Sequence, residues 1–215
     1  MVLIGMFDSP FVRRVAVSMR LLDMPFEHRN WSVGRDQAEI RRYNPLGRVP
    51  TLVLDDGEML IESSAILDYL DDSVGHARAL LPGGGAERRQ ALKLMAIAIG
   101  AAEKGVAQLY EVAFRPEDKR HAPWVERCQS QMEDALAELN RYAASLDDNG
   151  WLLGARMTQA DVTVTAAATF LHEALALNPA HYPALMRQVA RCEALLAFRE
   201  IHLPFFAPQP GIPSA

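Results

Sequence analysis

Between Leu81 and Gly85 the chain changes character. The run Leu81-Pro82-Gly83-Gly84-Gly85 puts three glycines after a proline, which ends regular structure and suits a connector. Before it, short apolar runs alternate with helical patterns. After it, strand signals stop and alanine-rich helical runs take over. This asymmetry predicts two units. Residues 1–76 form an α/β unit, residues 77–86 a linker, and residues 87–215 an all-helical unit. A length of 215 residues suits two such units.

The first unit reads strand, helix, strand, weak helix, strand, strand, helix, so it holds a small mixed sheet. Residues 2–6 are the first apolar run. Ser9 is a good N-cap and Pro10 suits the first helical position. Phe11, Val15, Met19 and Leu22 follow at helical spacing. Pro25 ends that helix, and residues 26–31 read as a second strand. A short helix is expected from Asp36. Asn44-Pro45-Leu46-Gly47-Arg48-Val49-Pro50 then makes a turn leading into residues 51–54, a buried strand. Pro50 cannot donate a ladder hydrogen bond at that strand's mouth. Asp55-Asp56-Gly57 signals a tight turn, so residues 51–61 form a hairpin. Glu62-Ser63-Ser64 opens the next helix.

In the second unit, helices are expected over residues 87–114, from Pro123 or Trp124 to 146, over 158–177 and over 183–196. Asp147-Asp148-Asn149-Gly150 ends the second of these. The proline-bearing tail from Leu203 reads as irregular. Thr158-Gln159-Ala160-Asp161 has capping-box spacing, with the Asp161 carboxylate at the positive end of the helix dipole. That box reads as structural, and Asp161 is not expected to act as a catalytic acid.

Composition excludes several functions. No apolar run approaches the ~20 residues of a membrane span. The start carries no basic segment and long apolar core of a secretory signal. A net charge of −5 and a pI near 5.7 argue against nonspecific nucleic-acid binding. The two cysteines, Cys128 and Cys192, imply no disulfide framework and point to the cytoplasm. They read as packing residues. The six histidines lack metal-ligand spacing, so no metal is expected. His172-Glu173 reads as a solvated or satisfied polar pair.

Two helix starts remain, at Ser9 and Ser63. Each offers free N–H groups at a positive dipole end. Glu62 adds a carboxylate suited to an ammonium, and the turn before Pro50 offers backbone groups for a peptide-like ligand. A small peptide-like zwitterion with a second anionic atom fits this set, which describes glutathione in its thiolate form.

These residues carry a resemblance. Ser9-Pro10-Phe11-Val12-Arg13-Arg14 after the first strand, the turn from Asn44 to Pro50, Glu62-Ser63 and the Thr158–Asp161 box occur in the order seen in cytosolic-type glutathione transferases. Together they span nearly the whole chain. The sequence is most similar to the serine-type bacterial members. The resemblance implies a thioredoxin-like N-terminal domain plus an all-α helical-bundle C-terminal domain, a cis Val49-Pro50 bond, and a cytoplasmic homodimer.

It also implies roles. Ser9 would donate its hydroxyl proton to the glutathione sulfur. Val49 would pair with the cysteinyl backbone, held by Pro50. Glu62 would bind the γ-glutamyl ammonium and Ser63 the γ-glutamyl carboxylate, with Phe11 and Arg48 also at the glutathione site. Phe7, Phe11, Tyr110 and Phe114 would line the pocket of a hydrophobic electrophile, with Phe205-Phe206 as further candidates. The sequence departs from the pattern at Gly47, where several serine-type members carry a histidine. Arg48, Arg41 or Arg42 would then take the glycyl carboxylate, and Arg14 would strengthen the field around Ser9. A non-catalytic interaction protein, or a glutathione-dependent isomerase, dehalogenase or peroxidase, shares the same motifs.

Overall fold

The computed structural model describes residues 1–146 and 150–206. The turn expected at 147–149 and the tail beyond 206 lie outside the described residues. The first unit builds a four-stranded sheet from β1 (Val2–Ile4), β2 (Glu27–Arg29), β3 (Thr51–Val53) and β4 (Met59–Ile61), in the order β2-β1-β3-β4. β1 pairs parallel with β2 and antiparallel with β3, and β3 pairs antiparallel with β4. The parallel pair needs a crossover, which α1 (Pro10–Leu21) supplies. The second strand is shorter than its sequence suggests, because this edge strand pairs only with the three residues of β1.

α2 (Gln37–Arg41) and α3 (Ser63–Val74) complete this thioredoxin-like unit. Its core gathers Leu3, Val12, Val15, Met19, Leu52, Ile66 and Leu70, all buried. Apolar spacing of three and four residues along α1 puts Val12, Val15 and Met19 on one inward face.

The helical unit contains α4 (Gly85–Phe114), α5 (Ala122–Ala144), α6 (Gln159–Leu175), α7 (Pro183–Glu193) and α8 (Leu196–Arg199). α4 packs against both α5 and α6, and α6 also packs on α1. The helix expected over 183–196 is interrupted: Leu195 takes an extended backbone at ψ 144°, and α8 restarts after it. The break swings Phe198 into the core of the first unit, where it is fully buried with Val162, Cys192 and Ile201. Burying one phenylalanine is worth roughly 2–3 kcal/mol, which accounts for the break.

Arg13 clamps the same junction. Its Nη1 and Nη2 donate to the two Glu193 carboxylate oxygens at 2.8 and 2.6 Å, and Nη2 also reaches the Phe198 carbonyl at 3.3 Å. Among the described residues, no helix is long and apolar enough to cross a membrane.

Candidate active site

Sheet register brings three chain segments to one edge. Ile4 faces Thr51, and Thr51 faces Ile61. The residues just beyond those pairs are Gly5, Pro50 and Glu62. The β1–α1 loop, the mouth of β3 and the start of α3 therefore lie side by side. The Val49–Pro50 peptide is cis. Gly5 has φ +134°, and a Cβ there would lie 2.5 Å from Val12 Cγ2 and 2.9 Å from Val49 Cβ. Only glycine lets the first loop close onto Val49.

Ser9 caps α1. Its Oγ accepts a long 3.5 Å bond from the Val12 N–H, and Pro10 follows as the first helical residue. One accepted bond leaves the hydroxyl proton available outward. On the other side, Glu62 caps α3 at φ +70°, a conformation costly for a residue with a Cβ. Its Oε1 accepts from the Ser63 hydroxyl at 3.2 Å and, at 3.5 Å, from the Ser64 N–H. Glu62 is exposed.

Behind this cap lies Arg14, 1% exposed. Nη2 donates to both Ser63 Oγ and Ser64 Oγ at 2.8 Å, and Nη1 reaches Thr163 Oγ1 on α6 at 3.5 Å. Among the described residues its hydrogen bonds all go to hydroxyls, and Nε has no partner. Burial pushes its pKa down to about 10, with the Glu62 charge opposing that shift. The hydrogen bonds of Arg14 thus support the α3 start.

The helical unit adds Tyr110 and Phe114, two exposed rings in edge contact with centroids 5.0 Å apart. Burial raises the Tyr110 hydroxyl pKa, with the Arg48 charge working against that shift and the Asp8 charge adding to it. Arg48 is exposed. Phe11 and Phe205 pack against the helical core. Phe7 commits one ring face to His28, stacked at 3.7 Å, while His28 Nε2 bonds the Gly5 carbonyl at 2.7 Å. Sequence reading missed His28. Only the pairing of β2 with β1 places it beneath the loop.

Comparison with known proteins decides the family. Residues 3–78 match the glutathione S-transferase N-terminal domain, and residues 122–200 match the glutathione S-transferase C-terminal domain. The chain belongs to the glutathione S-transferase family. A glutathione S-transferase from Methylobacterium radiotolerans, solved in complex with glutathione sulfonate, is 28% identical, and the match covers 100% of this chain and 97% of that one with a TM-score of 0.87. Glutathione S-transferase GstA of Escherichia coli O157:H7 is 35% identical across 55% of this chain and 54% of that protein. A probable maleylacetoacetate isomerase of Vibrio cholerae is 27% identical across 93% of this chain and 94% of that protein.

Within this glutathione S-transferase family frame, Gly47 is informative. It is buried at φ +62°, and a Cβ there would come within 3.3 Å of Arg41 Nε. The Arg41 side chain lies against the Gly47 backbone. Arg42 pairs with Glu39 at 2.9 Å instead of turning to the site. Both cysteines are buried, and burial pushes the Cys192 thiol up to about 12, which keeps it protonated and unreactive. Among the described residues no His, Cys, Asp and Glu cluster fits a metal.

Proposed function

We propose that the protein is a serine-type glutathione transferase that holds glutathione as its thiolate for attack on a hydrophobic electrophile. The observation that carries this reading is the register that sets Gly5, Pro50 and Glu62 side by side. It supports a site in which the hydroxyl of Ser9, the backbone of Val49 and the carboxylate of Glu62 meet one tripeptide. A thiol with pKa near 8.5 is only a few per cent ionised at pH 7. The Ser9 proton and the α1 N-terminus lower that pKa by ~1–2 units, as helix starts do for thiols. The thiolate then attacks the electrophilic carbon, and the leaving group departs or the adduct takes a proton.

Val49 pairs with the cysteinyl backbone as an added strand would. Glu62 takes the γ-glutamyl ammonium. That frees the Ser63 hydroxyl, now spent on Glu62, to donate to the γ-glutamyl carboxylate. Arg14 donates to Ser63 from behind and supplies the positive charge the carboxylate needs. Phe11 closes the site, and Arg48 meets the glycyl end. Tyr110, Phe114, Phe7 and Phe11 face the electrophile. A homodimer, a cytoplasmic setting and a division at residues 77–86 belong to the same reading.

Ser9→Ala tests it. Conjugation of chlorodinitrobenzene should fall about a hundredfold in kcat/KM, as when a single donor to a developing anion is lost. Unfolding stability should drop by only ~1 kcal/mol, the cost of one N-cap. Unchanged conjugation would sink the assignment of Ser9. An isomerase reading has one supporting observation, the near full-length match to maleylacetoacetate isomerases. Conversion of maleylacetoacetate without net loss of glutathione would favour it over conjugation.

A further inference from the structure

The chain does not leave the helical unit freely after α8. Glu173 on α6 holds it at two points. Oε1 bonds His202 Nε2 at 2.8 Å, and Oε2 accepts the Phe205 N–H at 2.9 Å. The two carboxylate oxygens thus grip one segment three residues apart, with Pro204 between them lacking an N–H. The Phe205 ring meets Phe170 edge-on, centroids 5.7 Å apart, which fixes its side of the segment on α6. The next residue crosses to the other unit, where the Phe206 N–H donates to Asp8 Oδ2 at 3.4 Å. Asp8 directly precedes Ser9.

We propose that residues 202–206 form a strap across the second-substrate site and that Glu173 is the positioning residue holding it there. This rests on the transferase reading above. The strap ends one residue from the thiol donor and carries two phenylalanines, Phe205 half-buried and Phe206 63% exposed. Phe205 packs on the same helical core as Phe11. An electrophile entering between Tyr110 and Ser9 meets an aromatic wall whose position depends on one carboxylate. The strap therefore sets the size of electrophile the site accepts. His172 takes no part, since its Nδ1 is bonded to the Leu177 carbonyl at 2.9 Å.

Glu173→Ala tests this in the full chain by two readouts. Exchange of the Phe205 amide with solvent should accelerate at least about tenfold, because its acceptor is gone. The ratio of kcat/KM for bulky bromosulfophthalein to that for small chlorodinitrobenzene should rise about fivefold, the size of effect expected from one lost hydrogen bond. The KM for glutathione should stay within about twofold, since Glu173 does not touch that site. Glu173→Gln keeps an acceptor for Phe205 and should fall between wild type and Glu173→Ala. A merely structural role for Glu173 would lower both rates together and leave their ratio fixed. An active wild type whose selectivity is unmoved by Glu173→Ala overturns the strap alone. A wild type that conjugates neither electrophile overturns the transferase reading and the strap's selectivity role together, even with a protected Phe205 amide.

Discussion

The starts of α3 and α6 each pair a hydroxyl residue with an acid, Ser63 next to Glu62 and Thr158 three residues before Asp161, but they differ in how far the acid is satisfied. Asp161 is fully buried. Its Oδ1 accepts from the Leu152 N–H and the Gln188 amide, both at 2.8 Å. Its Oδ2 accepts from the Thr158 N–H at 2.8 Å and the Thr158 hydroxyl at 3.0 Å. Four donors saturate it, so no lone pair is left for a ligand. Glu62 is exposed, sits at φ +70°, and receives only two longer bonds. A saturated buried acid organises the chain around it, while an unsaturated acid held outward in a costly conformation is free to meet a ligand.

The largest effect expected from this contrast is in stability. Asp161→Ala leaves four buried donors without an acceptor and should cost about 3 kcal/mol or more, read as a shift of the urea midpoint. The same change at Glu62 should barely move that midpoint. Glu62→Gln should instead raise the KM for glutathione about thirtyfold, or ~2 kcal/mol, the loss of a charge-assisted contact to an ammonium. If Asp161→Ala spares folding, or Glu62→Gln unfolds the protein without touching KM, the contrast fails.

Much of this contrast was visible in the sequence because it is local. Capping at Ser9 and Thr158, the hairpin over 51–61 and the long helices all depend on residues within a few positions of one another. The partners of Asp161 were only half visible. Thr158 lies three residues away, but Leu152 and Gln188 arrive from a loop and another helix. The contacts of Arg14 were hidden for the same reason. Its hydroxyl partners Ser63, Ser64 and Thr163 lie on two other helices, and no local pattern on α1 points to them. The Phe7–His28 stack and the reach of Phe206 to Asp8 likewise exist only once the sheet and the two units close. At Gly47 the missing histidine was legible, but the Arg41 side chain over it was not.

Arg14 sharpens the comparison further. Among the described residues this buried guanidinium bonds only hydroxyls, so it is desolvated without the return of a paired carboxylate. Arg14→Gln should therefore leave thermal stability unchanged or up to ~1 kcal/mol higher, while the KM for glutathione rises about tenfold. Arg14→Lys, which keeps the charge, should recover part of that affinity. Equal losses of stability in both variants would show that Arg14 serves the fold as Asp161 does.

Asp8 gives the smallest effect, with a sign opposite to that of an ordinary ion-paired acid. Burial raises its pKa above the usual 3.8, the N–H groups of Phe206, Asp8 and Ser9 oppose that shift, and the Glu173 charge adds to it. The folded protein therefore holds this proton more tightly than the unfolded chain. The resulting stability is fully present below the unfolded pKa and is lost as pH rises through the folded one. Between pH 4 and pH 7, wild-type stability should fall relative to Asp8→Asn, which keeps an oxygen acceptor for the Phe206 N–H but cannot ionise. Because Asp8 is only half-buried, solvent screening keeps the difference to a few tenths of a kcal/mol. Urea unfolding of both proteins at the two pH values measures it. A wild type that gains stability over Asp8→Asn across that range would mean that the strap's N–H outweighs burial at Asp8.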